Sequence, residues 1–252
     1  MSNKGMSKIY LMIIVMLTTI MSGCATTQYV EDERDPWQGF NRSMYEFNDT
    51  LDRAILKPVA KGYVAVTPQF VRTGVRNFYS NIDDVHIAAN NLMQGKFRDS
   101  LSDAGRFVIN TTIGILGLFD PASAIGLEKH NEDFGQTLAV WGVPQGPYVV
   151  WPFLGPNTLR TTPSYVVDRI ALNPLTYIEM KWGERIIIWT VRQVSVRAEL
   201  LSLEKQVEGI STDRYAFIRD AYLDRRNFLI HDGNPPVDTS LYEGLDVDGD
   251  VD

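Results

Sequence analysis

Residues 103–120 read DAGRFVINTTIGILGLFD. Placed on a helix, Asp103, Arg106, Asn110, Gly114 and Gly117 recur at steps of three and four. They therefore share one face, polar at one end and bare at the other. The remaining positions, Phe107, Val108, Ile109, Ile113, Ile115, Leu116 and Leu118, are apolar, so the helix is greasy around most of its circumference. Two readings fit this strip. Arg106 pairs with Asp103 while the glycines let a neighbouring helix come close, or the strip lines a water-filled path through an apolar body. The five residues are the candidate channel-lining set. Asp120-Pro121 then caps a short helical piece.

Outward from this segment, helix signals recur in both directions. Asp35-Pro36 reads as a helix start with Asp35 as N-cap, and Trp37, Phe40, Met44, Phe47, Leu51 and Ile55 form one stripe. Pro58 should end or kink that helix. Thr67-Pro68 starts the next, with Phe70, Val71, Val75, Phe78 and Ile82 on one face. It continues through Val85, Ala89, Leu92 and Met93, expected inward, and stops near Gly95. Between Phe134 and Pro156, glycines and prolines alternate among aromatic residues. A short helix to about Val140 and then irregular chain is expected, with Val149-Val150 a strand remnant. Trp182–Val207 is the longest helix candidate, carrying two adjacent apolar stripes. A last helix, capped by Thr212 or Ser211, runs to about Phe228. Its Tyr215, Ile218, Tyr222 and Leu229 are expected inward, and Arg219, Arg225 and Arg226 outward.

The amino terminus sets the compartment. Lys4 and Lys8 precede an apolar run from Ile9 to Met21, too short to span a bilayer and suited to a secretory signal. Met21-Ser22-Gly23-Cys24 resembles the bacterial lipobox, in which the cysteine thiol takes a diacylglyceryl group, the chain is cut before it, and the new amine takes an N-acyl chain such as palmitate. Cys24 is the only cysteine, and a thioether to lipid removes a free thiol from an oxidising compartment. Ala25 rather than Asp follows, which by the enterobacterial sorting rule directs the lipoprotein to the outer membrane. The expected organisation is a signal peptide at 1–23, a lipidated tether at 24–34, a helical domain at 35–231 and an acidic disordered tail at 232–252.

The whole chain carries a net charge of −7 with 44% hydrophobic residues. Acids concentrate in 232–252, a stretch without a base, so the charge belongs to the tail and not to the fold. Nucleic acid is not an expected partner. A search for chemistry finds no G-x-S-x-G, no Walker loop and no H-E-x-x-H. Asp133-Phe134-Gly135 matches a kinase tripeptide without the motifs that accompany it. His86, His130 and His231 are far apart, and the alternating aspartates near the carboxyl end lack the spacing of a calcium loop. No catalytic residue, no metal and no cofactor beyond the acyl chains on Cys24 are expected, and the chain does not read as an enzyme.

The runs DPWQGFNRSMYEFND from Asp35, LDRAILKPVAKGY from Leu51, RFVINTTIGILGLFD from Arg106, DFGQTLAVWGVPQGPYVVWPFLGPNTLR from Asp133 and DRYAFIRDAYLDRR from Asp213 resemble the MlaA family, also called VacJ. The pattern is departed from at Val85, Thr161 and Arg214. The resemblance implies an all-α, ring-like domain sunk in the inner leaflet of a Gram-negative outer membrane, lipid-anchored on the periplasmic side. It further implies an amphipathic channel that lets misplaced phospholipids leave the outer leaflet for a soluble periplasmic carrier, MlaC, beside trimeric porins, so that lipid asymmetry is maintained. The competing expectation is a structural envelope lipoprotein that scaffolds porins without a transport path. A lipid hydrolase would need a nucleophile and base at a spacing the sequence lacks.

Overall fold

The computed structural model describes residues 32–207 and 211–236. The expected signal, Cys24 with most of its tether, and the tail beyond residue 236 lie outside the described residues.

Helix α1 (Gln38–Leu51) passes through a π-helical turn (Asp52–Leu56) directly into α2 (Lys57–Val66). The Lys57 N–H donates to Asp52 O, five residues back. Pro58 therefore neither ends nor breaks the rod: the wider turn accommodates a ring and a missing donor that a tight α turn would not. Nor does Asp35 cap α1, which begins at Gln38 after Trp37. The Asp35 carboxylate is buried and accepts from Asn41 Nδ2 at 2.7 Å and from the Tyr215 hydroxyl.

Helix α3 (Gln69–Met93) follows the Thr67-Pro68 signal and turns at Gly95, whose φ of 80° suits glycine. It packs along α4 (Phe97–Thr112). The expected run of helix through Gly117 stops at Thr112, and residues 113–119 form consecutive turns before α5 (Pro121–Ala124). Asp120 caps α5 by accepting from Ser123 N at 3.1 Å, and Asp133 caps α6 (Phe134–Val140) in the same way. Strands β1 (Tyr148–Trp151) and β2 (Gly155–Thr158) pair antiparallel with Tyr148 opposite Thr158. They are the only strands among the described residues, so the class is all-α with one hairpin in its glycine- and proline-rich part. After α7 (Ser164–Val166) come the long α8 (Trp182–Val207), packed on α2 and α3, and α9 (Arg214–Ile230). Asp213, not Thr212 or Ser211, caps α9.

A small apolar core forms where α1, β1 and α9 meet: Tyr148, Val150, Tyr215 and Leu223, with Met44, Tyr45 and Tyr222 against them. Elsewhere the polarity is reversed from that of a water-soluble protein. Among the described residues, buried polar and charged side chains outnumber buried apolar ones, while large apolar residues crowd the surface. On α1, Asn41 is buried and Trp37, Phe40 and Phe47 are exposed; on α3, Asn81, Asp84, Asn90 and Asn91 are buried and Leu92 is exposed. Most of both stripes of α8 faces outward, as Ile186, Ile187 and Trp189 illustrate, while Val194 of the second stripe is buried with Ser195 and Arg197. Arg219 and Arg226, expected outward, are buried: Arg226 pairs with Asp133, and Arg219 with Asp32 at 3.0 Å.

The folded unit is also longer than 35–231. Tyr148 N donates to Arg34 O at 2.8 Å, and Arg34 reaches Asp220 at 3.0 Å, so 32–34 belong to the domain and not to a free tether. At the other end Asp232, expected in the tail, pairs with Lys96.

Candidate functional site

The strip on α4 is brought together as its spacing requires. Asp103, Arg106 and Asn110 all lie on the buried face of that helix. Arg106 donates to Leu127 O at 2.7 Å, to Ser123 Oγ at 2.9 Å and to both oxygens of Asp120 at 3.0 and 3.1 Å. Asn110 donates to Asp120 at 2.9 Å and accepts from Ala122 N at 3.0 Å. Asp103 accepts from Asn91 Nδ2 at 3.0 Å and contacts His130 Nδ1 at 2.9 Å. Arg106 thus pairs with Asp120, not Asp103. Its Nε also lies 3.7 Å from Asp84, a carboxylate buried against Lys129. Burial pushes the Asp84 carboxyl up to about 6 despite that lysine.

The two glycines are beyond the helix but still packed. A Cβ on Gly114 would meet Asn110 O at 2.5 Å and Phe119 O closer still. One on Gly117, whose φ is 84°, would lie 2.6 Å from Asn81 Cβ. The expectation that these five residues line a watery path is therefore corrected. The three polar chains are 0 to 3% exposed and bonded to protein partners, Arg106 Nε alone among their buried side-chain nitrogens and oxygens lacking one, and they stitch α4 to α3 and to the 120–130 segment. Among the described residues no group of acids and histidines is placed to hold a metal ion.

An open space lies instead between α2, α3 and α8, with a volume of about 760 Å³. Lys57 and Lys61 enter it from α2, Arg72 and Arg76 from α3, and Ser195 and Glu199 from α8. Each cation pair is spaced four residues apart, so each points from one helix face, and the Thr67-Pro68 turn sets the two faces opposite each other. Tyr63, Val64 and Leu201 complete an apolar part of the wall. At one edge Lys57 donates to Glu204 at 2.8 Å, and Glu204 also takes Arg197 at 2.8 Å. Bonds from Lys57 and Arg197 hold the Glu204 carboxyl at about 2. Among the described residues Lys61 and Arg76 make no ion pair.

The cleft can thus hold an anion beside apolar surface, which are the two needs of a phosphate ester bearing acyl chains. Sequence reasoning missed it. The available signal was the pair of cation steps, Lys57/Lys61 and Arg72/Arg76, mirrored about a proline turn.

A family model described as MlaA lipoprotein matches residues 33–229. The chain belongs to the MlaA lipoprotein family. Relatives include the intermembrane phospholipid transport system lipoprotein MlaA of Escherichia coli K12, 34% identical with 90% of each chain covered. Its counterpart in Haemophilus influenzae is 31% identical over 84% of this chain and 87% of that one. An uncharacterized protein of Rickettsia felis is 38% identical over 74% of both. A solved structure described as the structural basis for maintenance of bacterial outer membrane lipid asymmetry superposes with a TM-score of 0.67 at 32% identity. It covers 78% of this chain and 98% of its own. MlaA membership thus extends over the whole described body, from the docked residues before α1 to the end of α9.

Proposed function

We propose that this lipoprotein carries out intermembrane phospholipid transport at the outer membrane, taking misplaced phospholipids from the outer leaflet through the cleft between α2, α3 and α8. The observation that carries this reading is the reversed polarity: an interior of paired charges and amides, an apolar exterior, and a cationic cleft between. Charged head groups cross hydrocarbon only at high cost, and a cationic wall beside an apolar one lowers that barrier. Among the described residues no helix is long and apolar enough to cross a membrane. On this reading the body lies within one leaflet, the inner one, held on the periplasmic side by acyl chains on Cys24. Two or more such chains anchor stably, at roughly 0.8 kcal/mol per buried CH₂. Delivery is to the soluble periplasmic carrier MlaC, with trimeric porins alongside, and no bond is made or broken in the passage.

A pure scaffold for porins has no use for Lys61 and Arg76 in the cleft, which make no ion pair among the described residues. The test is reconstitution of the full lipidated chain, with porin, into asymmetric vesicles bearing labelled phospholipid in one leaflet. Transfer of label to added carrier, lost on bulky crosslinking across the cleft, is the expected result; transfer that survives the crosslink overturns the reading.

A further inference from the structure

Between α4 and α5 the chain forms a knuckle, residues 113–119. Ile113, Ile115, Leu116, Leu118 and Phe119 are all exposed, by 41 to 71%. No charged side chain occurs between Asn110 and Asp120. Two of the exposed residues, Ile115 and Leu116, hold left-handed φ values of 53° and 56°, and a β-branched residue is rarely found there. Such strain persists only where the surroundings fix it.

The backbone beneath is closed on itself. Gly114 N donates to Ile109 O at 3.2 Å, Leu116 N to Thr111 O at 2.9 Å, Gly117 N to Asn110 O at 2.7 Å and Phe119 N to Gly114 O at 2.9 Å. Asn77 Nδ2 on α3 reaches Leu118 O at 3.2 Å. A surface loop in water leaves much of this bonding to solvent, whereas backbone in hydrocarbon must satisfy it internally. Apolar tips, an absence of charge and an internally bonded backbone suit acyl chains rather than water or a polar protein partner.

The position of the knuckle adds a second argument. Gln69, Arg72, Thr73 and Arg76 of α3 face the cleft. Gly74, Asn77 and Asn81 lie about a third of a turn away and carry the knuckle: Gly74 against Leu118, Asn77 on Leu118 O, and Asn81 against Gly117. The apolar tips and the cleft cations are therefore separated by one helix, about 10 Å across. We propose that residues 113–119 form a rigid wedge that enters the hydrocarbon of the bilayer next to the cleft and loosens lipid packing where head groups are to be taken up. This rests on the transport reading above and assigns its membrane-entering surface.

The test places a nitroxide on the full lipidated chain at Leu116→Cys, at Phe40→Cys on the outer face of α1 and at Asp224→Cys on α9, in vesicles of phosphatidylethanolamine and phosphatidylglycerol. Protein without an added cysteine is the control, since lipidation occupies the Cys24 thiol. The expected result is a Leu116 label reached by oxygen and shielded from a water-soluble nickel chelate at least as strongly as the Phe40 label, with the Asp224 label open to the chelate. A Leu116 label open to the chelate while the Phe40 label is shielded overturns the wedge and leaves membrane embedding intact. Both labels open overturns embedding and the wedge together.

Discussion

Arg197 on α8 grips Asp52 with two bonds, Nε to Oδ1 at 2.7 Å and Nη2 to Oδ2 at 2.9 Å, across 145 residues of chain. The same guanidinium reaches Glu204, which holds Lys57, so one chain of charges ties the π-helical turn after α1 to the far wall of the cleft. Arg197 is buried at 9% exposure. Replacing it with Met leaves Asp52 without its cation and Glu204 with Lys57 alone. Loss of one partner from such a buried group removes roughly 3 kcal/mol of stability. Urea unfolding of Arg197→Met in detergent should show a midpoint shift of that size, and Asp52→Asn a smaller one.

Charge in the cleft is separable from that brace. Lys61 and Arg76 make no ion pair among the described residues, so reversing them removes no structural contact. The Lys61→Glu, Arg76→Glu double variant should fold with unchanged unfolding midpoint and transfer labelled phospholipid at least tenfold more slowly. Tenfold corresponds to about 1.4 kcal/mol. Equal transfer rates would remove these residues from the lipid path.

Glycine positions divide sharply by surroundings. Gly117→Ala combines a left-handed backbone with a Cβ 2.6 Å from Asn81, and Gly114→Ala drives a methyl into two carbonyl oxygens. Each should destabilise by about 2 kcal/mol or more and lower abundance. Gly39 and Gly62, in helices with nothing within 4 Å, should instead gain roughly 0.5–1 kcal/mol as alanine. Thermal unfolding of the four variants checks the contrast.

Asp168 makes stability depend on pH in an unusual direction. It is buried, accepts from Asn90 Nδ2 at 2.8 Å and Phe134 N at 2.9 Å, and has no ion-pair partner among the described residues. Burial pushes its carboxyl up to about 6 from 3.8. The folded state then binds the proton more tightly than the unfolded one, so this group's contribution to stability falls as pH rises from about 4 to 6. Denaturant unfolding should show a falling component over that window, about 3 kcal/mol in size from this group. The component should be roughly halved in Asp168→Asn, since the Asp84 carboxyl is raised to about 6 as well.

Most helices were legible from period alone, including α8 from Trp182 to Val207 and the start of α3 after Thr67-Pro68. Their facing was not. Periodicity divides a helix into two faces but leaves open which face meets the surroundings, so Phe40 and Phe47 read as core when Asn41 between them is the buried residue. A sign was present in the kind of polar residue used. The polar positions Asn81, Asp84 and Asn91 of α3 are short amides and acids, able to bond inside a packed layer, where a water-facing stripe favours lysine and glutamate. The misread arginines follow from the same habit: Arg226 is the partner of Asp133, 93 residues earlier, and no local pattern announces a pairing at that distance. The strip on α4 was found correctly as a strip. Its role was misjudged because Asp120, which takes two bonds from Arg106, was read only as the cap of the next helix.

The turn at Asp52–Leu56 contains one residue more than regular helix would use over the same height. Excising a single residue there would let the rod wind evenly from Gln38 to Val66 and would lose no apolar contact by itself. Winding the same residues as regular helix, with none excised, would instead rotate everything downstream by about 100°, carrying Lys57 and Lys61 off their station. The wide turn at that place thus sets the phase of the machine.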